Sequence, residues 1–437
     1  MLKFRGGLLP AWFGAVPPGN AQQILPIGYL FDKYRQIPGA GKADSYQRLS
    51  LTMNGVMPRS REATDGLQPE SFDSYQLLKP GHLVFKLIDL QNVSTSRVGL
   101  SEDEGLVSPA YIVVQPSKEV LPRYAYWYFM DLYFRQVFNN LGEDGVRASL
   151  GWESLKELPF RLRSIEQQER IVQYLDAETA KIDHLIAKQR ELIDLTKERA
   201  DADIEASIWG QLVQTDREPD IIKRSYCPRD ISSLALARRL SALPRTWDIR
   251  RFKWVFSRKD DRNADLALEM LSLRQTGAVV PRSETGQNQE PSEASIPKYL
   301  AVKPGDLVVN PMWMTGGAIG VSERAGAVSP DYRVFAISEQ LLPHYAHEIL
   351  RSVSYRRQSK LFERASTTFD RRIQQIDLDN LPVPIPPKEH QEEIVRNVRQ
   401  IHKRTNQFVK AIERHIELAQ ERRSALITAA VTGQIEV

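Results

Sequence analysis

Cysteine is almost missing from this chain. Cys227 is the single one in 437 residues, which excludes an internal disulfide and any zinc site built on paired thiolates and favours a cytoplasmic setting. No apolar run approaches the roughly 18 residues of a membrane-spanning helix. Lys3 and Arg5 ahead of Gly6 to Val16 give a faint likeness to a signal peptide, but Pro10 interrupts the stretch, and a loop packed on the first domain is the better reading. Charge of one sign is also scarce: 59 Lys and Arg against 55 Asp and Glu leave only +4. Any nucleic-acid surface must therefore be a local patch.

Catalytic patterns are equally thin. Pro38 to Ala43 has the look of a phosphate-binding loop, yet Gln36 stands where the first Gly belongs and Ala43 where a Ser or Thr would hold Mg²⁺. No lysine has Asp or Glu two residues before it, the arrangement a metal-dependent nuclease needs. Asn310-Pro311-Met312-Trp313 is close to the motif with which DNA adenine methyltransferases hold a flipped base, but Met312 departs from it and no Gly-rich loop follows a strand. His344 and His347 could reach one metal ion from a helix face; without a counterpart in the first half they read as surface histidines.

What is present is present twice. Leu49-Ser50-Leu51 returns as Leu271-Ser272-Leu273, Lys79-Pro80-Gly81 as Lys303-Pro304-Gly305, and Val107-Ser108-Pro109 as Val328-Ser329-Pro330. Glu166-Gln167-Gln168-Glu169 returns as Glu389-His390-Gln391-Glu392, and the offsets (271 − 49 = 222, 389 − 166 = 223) barely drift. A period this long is a whole domain with its connector, a tandem duplication. Each half opens with short apolar runs between Gly and Pro, of which Leu83 to Leu90, Tyr111 to Val114, Leu307 to Val309 and Arg333 to Ile337 read as strands. An aromatic-rich helix follows, Tyr124 to Phe138 or Tyr345 to Phe362, then a Leu-Pro break and a long Pro-free helix.

The long helices are expected from Glu166 to Trp209 and from Glu389 to Ala430. Apolar residues recur at heptad spacing, at Ile171, Leu175, Ile182, Leu185 and Leu192 in the first and at Ile394, Val398, Ile401, Phe408, Ile412 and Leu426 in the second. The duplication favours pairing inside one chain over a dimer of chains, and an antiparallel pair needs no long return path. Glu178, Gln189 and Arg199 interrupt the first stripe, which suggests a partner surface there. Both helices end at a glycine cap, Gly210 or Gly433.

Recognition chemistry concentrates in arginines. Arg351, Arg356, Arg357, Lys360, Arg364, Arg371 and Arg372 face only Glu363 and Asp370, with Tyr355, Phe362 and Phe369 interleaved. The first half has a sparser version in Arg135 and Arg147, and Arg59, Arg61 and Arg282 sit in loops. Arginine both neutralises phosphate and reads guanine edges.

At Leu158-Pro159-Phe160 through Val172, at Leu381 through Val395 and at the closing Ala425 to Ile435, the chain resembles the specificity subunit of type I restriction-modification systems. The resemblance implies a non-catalytic subunit with two target-recognition domains, each reading half of a split duplex DNA sequence, held apart by an antiparallel coiled coil. It also implies two methylation subunits that use S-adenosylmethionine, and restriction subunits bound through them that use ATP and Mg²⁺. The expected fold is α+β: recognition domains at 1–160 and 244–383, long helices at 161–212 and 384–437, and a linker at 213–243. The rival readings are a DNA adenine methyltransferase acting through Asn310 to Trp313 and a duplicated coiled-coil scaffold that binds protein only.

Overall fold

The computed structural model describes residues 3–4, 7–13, 23–39, 41–52, 55–60, 71–90, 97–141, 149–211, 239–240, 242–263, 268–286, 292, 294–359 and 372–437. The molecule is mixed α+β, with two long helices and several sheets. It forms two compact units, Met1–Arg190 with Glu413–Val437, and Glu191–Ile412. Each unit therefore contains part of both long helices.

In the first unit β1 (Gln23–Pro26) and β2 (Phe31–Tyr34) lead to a hairpin of β3 (Arg48–Thr52) and β4 (Gly55–Arg59). Then come β5 (Gln76–Leu78), β6 (Leu83–Phe85), β7 (Val98–Leu100), β8 (Gly105–Val107) and β9 (Ile112–Pro116). They make two four-stranded sheets, in the orders β4-β3-β8-β5 and β2-β9-β6-β7. β6 is apolar and buried at every position, as a strand covered on both faces must be.

Helix α1 (Pro122–Phe134) starts on a proline, whose missing N–H costs nothing in a first turn. It buries Tyr124, Trp127, Tyr128 and Phe129 against the second sheet, where Phe129 meets Phe31 and Phe85 edge-on. Each such ring removes apolar surface from water worth about 2–3 kcal/mol. Helices α2 (Val137–Leu141) and α3 (Trp152–Leu155) and strand β10 (Pro159–Leu162), paired with β1, complete the globular part before α4 (Ile165–Ile208).

The second unit repeats this order: β11 (Asp248–Arg251), α5 (Phe252–Val255), β12 (Phe256–Lys259), β13 (Leu271–Leu273), β14 (Val279–Pro281), β15 (Leu300–Val302), β16 (Leu307–Val309), β17 (Ile319–Val321), β18 (Gly326–Val328) and β19 (Arg333–Ile337). Helices α6 (Pro343–Arg351), α7 (Val353–Ser359) and α8 (Gln375–Asp379), strand β20 (Pro382–Ile385) and helix α9 (Lys388–Thr432) follow. Its main sheet, β12-β19-β16-β17, keeps the first unit's register: Phe256 lies opposite Ile337 as Phe31 lies opposite Pro116. The aromatic helix expected from Tyr345 to Phe362 is broken at Ser352, and its end lies outside the described residues.

Both long helices begin and end within two residues of expectation. Gly210 (φ 69°) and Gly433 (φ 79°) adopt the left-handed conformation that closes a helix. The following N–H groups, of Gln211 and Gln434, bond back to Ala206 and Ala429 at 2.9 and 2.8 Å.

The buried stripe is not the expected one throughout. Ile171, Leu175, Ile182, Ile394, Val398 and Ile412 are buried, and Ile401 and Leu426 are half-buried. Leu185, Leu192 and Phe408 instead lie exposed, and the residue after each, Ile186, Ile193 or Val409, is buried. The stripe runs through polar positions, buried Thr179 and half-buried Thr405, so the strongest apolar neighbour is a poor guide to the frame. In the first unit Ile171 and Leu175 share a core with Ile427, Ala430 and Val431 of α9. Arg163 meets Val431 and Arg423 meets Asp183, so these two segments run in opposite directions. In the second unit Ile208 and Trp209 pack with Ile394, Val395 and Val398.

Candidate nucleic-acid interface

One buried glutamine organises each unit. Gln168, in the first turn of α4, accepts the Leu121 N–H at 2.8 Å and donates to the Glu119 and Arg163 carbonyls at 2.8 and 2.9 Å. Gln391 in α9 accepts from Leu342 at 2.7 Å and donates to Gln340 and Pro386 at 2.9 and 2.8 Å. Both are fully buried. Each amide thus ties together a short helix start, the turn before it and the root of a long helix, which is what the repeated Glu-x-Gln-Glu segment provides. Sequence reasoning noticed the segment and missed its use.

Several arginines expected at phosphates are engaged inside the fold. Arg351 donates through Nη1 to Gly317 O at 2.8 Å and Gln275 O at 3.3 Å. Arg356 donates to Arg351 O at 2.8 Å and Thr315 O at 3.2 Å. Burial, with Arg356 nearby, pulls the Arg351 pKa down. This pair pins the turn after Trp313 onto a neighbouring loop, where backbones come so close that a Cβ on Gly320 would meet Gly277 O at 1.9 Å. Arg135 is likewise held by Asp131 and by the Trp12 carbonyl. Arg282, half-buried, reaches the Tyr299 hydroxyl at 3.4 Å. Burial raises the Tyr111 pKa, and Arg59, half-buried at the end of β4, opposes that rise. Arg61, Arg147, Lys360, Arg364 and Arg371 lie outside the described residues.

The outward cations form another set. In the second unit Arg357 and Arg372 are exposed, with Arg372 3.8 Å from Asp331 and 3.7 Å from the Met312 sulfur. Arg258 on β12 is exposed, and Arg333 on β19 donates to Ile373 O at 2.9 Å. Burial first, then repulsion from Arg258 and Arg372, lowers the Arg333 pKa, so the three form one positive cluster. Trp313 lies exposed on the turn after β16. In the first unit the strand equivalent to β12 carries Lys33, with Arg35 just beyond it, and both border a cavity of about 260 Å³ with Tyr111 and Trp152. A basic residue at one matched place, Lys33 or Arg258, is readable in Phe31-Asp32-Lys33-Tyr34-Arg35 and Phe256-Ser257-Arg258-Lys259, although the run of arginines from Arg351 is the stronger signal in the sequence.

The methyltransferase-like tetrapeptide does local work. Asn310 Oδ1 accepts the Met312 N–H at 3.1 Å and closes a side-chain turn. His347 accepts the Val321 N–H at 3.1 Å, and burial takes its pKa down to about 4. Among the described residues no group of three or more His, Cys, Asp or Glu could hold a metal ion, and no helix is long and apolar enough to cross a membrane.

No family model matches the chain, and no curated protein does. Solved structures do match. A chain from a study of complex assembly and conformational transition of the type I R-M system is 15% identical, with a TM-score of 0.62, over 97% of this chain and 100% of that one. The HsdS subunit from Thermoanaerobacter tengcongensis is 15% identical (TM-score 0.48, 97% and 99% coverage). The type I restriction-modification S subunit from M. genitalium is 13% identical (TM-score 0.35, 97% and 99% coverage). At such identities what is shared is the fold, and the first match shows it end to end.

Proposed function

We propose that this chain is the DNA-specificity subunit of a type I restriction-modification complex. It is a tandem duplication whose two globular regions each read one half of a bipartite duplex target, while α4 and α9 pair as an antiparallel coiled coil and set the gap. The observation that carries this reading is the fold shared, over 97% of this chain and the whole of the other, with a chain from a study of the type I R-M system. Lys33 and Arg258 at the same place on equivalent strands, with Arg35 beside the first and Arg333 and Arg372 beside the second, support two DNA-facing surfaces. Phosphate contacts come from these cations, and base contacts from the loops beside them.

In this reading the subunit performs no reaction itself and works in the cytoplasm. Two methylation subunits carry S-adenosylmethionine, and restriction subunits bound through them use ATP and Mg²⁺. Docking of one partner twice is supported by exposed apolar residues that recur in register: Leu185 with Phe408, Leu195 with Leu418 and Tyr29 with Trp254, at offsets 408 − 185 = 223, 418 − 195 = 223 and 254 − 29 = 225. A lone exposed leucine is ordinary, whereas exposure repeated at matched positions fits a surface covered in both halves. The test is adenine methylation of a randomised duplex library by the assembled complex, before and after residues 244–383 are replaced by the same region of another such subunit. One half of the recognised sequence should change and the other persist; loss of both halves, or no change, contradicts the reading.

A further inference from the structure

The C-terminal ends of the two long helices are seated in their units by the same three chemical groups placed in opposite order. In the first unit the carboxylate belongs to the globular side: Asp131 of α1, fully buried, accepts from Arg135 at 2.9 Å and from the Thr428 hydroxyl of α9 at 2.6 Å. In the second unit the carboxylate belongs to the long helix. Glu205 of α4 is 8% exposed, accepts the Ser354 hydroxyl and N–H at 2.6 and 3.2 Å and lies 3.5 Å from Arg239. Thr428 and Glu205 occupy the same place in the repeat (428 − 205 = 223).

We infer that these two seats are a polarity code that makes the helix ends non-interchangeable, so that each globular region accepts the end of the opposite helix and rejects the like end offered by a second copy of this chain. Were the α4 end seated on the first globular region, Glu205 would face Asp131. Two carboxylates sharing a buried site cannot both ionise, and one must take up a proton or the contact must open. Were the α9 end seated on the second, Thr428 would face Ser354 and leave its N–H without the carboxylate that accepts it. The carboxylate and hydroxyl therefore match in only one of the two possible pairings. The inference rests on contacts within each unit and is independent of what the globular regions bind.

The test is thermal unfolding of the full chain. Thr428→Glu places the residue of one seat in the other, and should lower Tm by about 4 °C or more. Adding Asp131→Asn to that variant removes the opposing charge and should recover more than half of the loss. Ser354→Asp is the reciprocal change, and Glu205→Gln should rescue it. Thr428→Val and Ser354→Ala, which remove hydroxyls while keeping shape, should cost clearly less than the charged variants and show that the seats tolerate packing-neutral change. The inference is overturned if the charged variants melt within about 1 °C of the parent, if the rescuing substitutions recover nothing, or if the uncharged variants are as damaging as the charged ones.

Discussion

The two units keep the same residues where a long helix leaves the globular part and differ where a side chain faces outward or across a local pair. Gln168 and Gln391 make the same three hydrogen bonds, and Tyr124 and Tyr345 both donate to a carbonyl of the strand before the long helix, Arg161 at 2.8 Å and Pro384 at 3.3 Å. Elsewhere equivalent places are filled by unlike chemistry. Tyr34 packs edge-on against His82 at 4.4 Å in one unit, whereas Lys259 and Asp306 form a buried ion pair of 2.6 Å in the other. Arg123, Trp127 and Asp176 interlock in the first unit, where the second has His344, Glu348 and Arg399 around a cavity of about 760 Å³. The joints are under one geometric constraint, and the surfaces are free to diverge around it.

Breaking a joint should have the largest effect. Gln168→Ala or Gln391→Ala removes three hydrogen bonds to the backbone, one of them to a carbonyl of a buried residue, Arg163 or Pro386, and at about 1–3 kcal/mol for each buried group left unpaired the loss should exceed that of any surface change. Chemical denaturation of each variant should show similar costs in the two units; a tolerated substitution would remove the glutamine from its role. The unlike pair sharpens the contrast. Asp306→Ala removes the closer of the two carboxylates at Lys259, leaving Asp261 at 3.8 Å, and takes the acceptor from the Lys303 N–H; it should cost about 1–3 kcal/mol, while His82→Ala in the matched position loses chiefly packing and should cost less.

Acid should act through the histidines. His347 has a folded pKa near 4, and His82 is lowered by burial and by Lys79. A lowered histidine is neutral in the folded chain and takes up a proton on unfolding, so its stabilising contribution is complete above about pH 6.5 and is lost as pH falls from there towards 4. The His347 share is at most about 3 kcal/mol. His347→Gln should flatten the stability profile in that window, and an unaltered slope would contradict the assignment.

Smaller effects belong to the DNA surface and the helix caps. Arg258→Ala with Arg372→Ala should weaken DNA binding by the assembled complex and reduce its salt slope by about 2, whereas Arg351→Ala should act through stability because its guanidinium holds the turn at Gly317. Gly210→Ala should cost about 1–2 kcal/mol, from its positive φ and from a Cβ 2.9 Å from Trp247.

The parts legible in the sequence were those with local causes. The ends of the two long helices could be read to within two residues because the Leu-Pro break before each and the glycine cap after each act locally, and strands such as Leu307–Val309 because the run itself is apolar. The buried face of the long helices was misread at Leu185, Leu192 and Phe408 because polar Thr179 and Thr405 lie on it and packing outweighs hydropathy residue by residue. Arg351 and Arg356 looked like phosphate ligands because composition cannot show that loop carbonyls from residues 275, 315 and 317 surround them. Lys33 and Arg258 were legible as basic residues of their strands, and the strand register adds that they hold matched places, whereas Arg333 has Ile112 at its place in the first unit.

The proposal that two readers are spaced by paired helices is tested most directly by shortening both helices together. Deleting residues 188–194 and 411–417 removes one heptad from each, about 10 Å of rise or about three base pairs. Methylation of a library with variable spacing should then give the same two half-sites across a shorter gap. The same half-sites at the original gap would contradict the account.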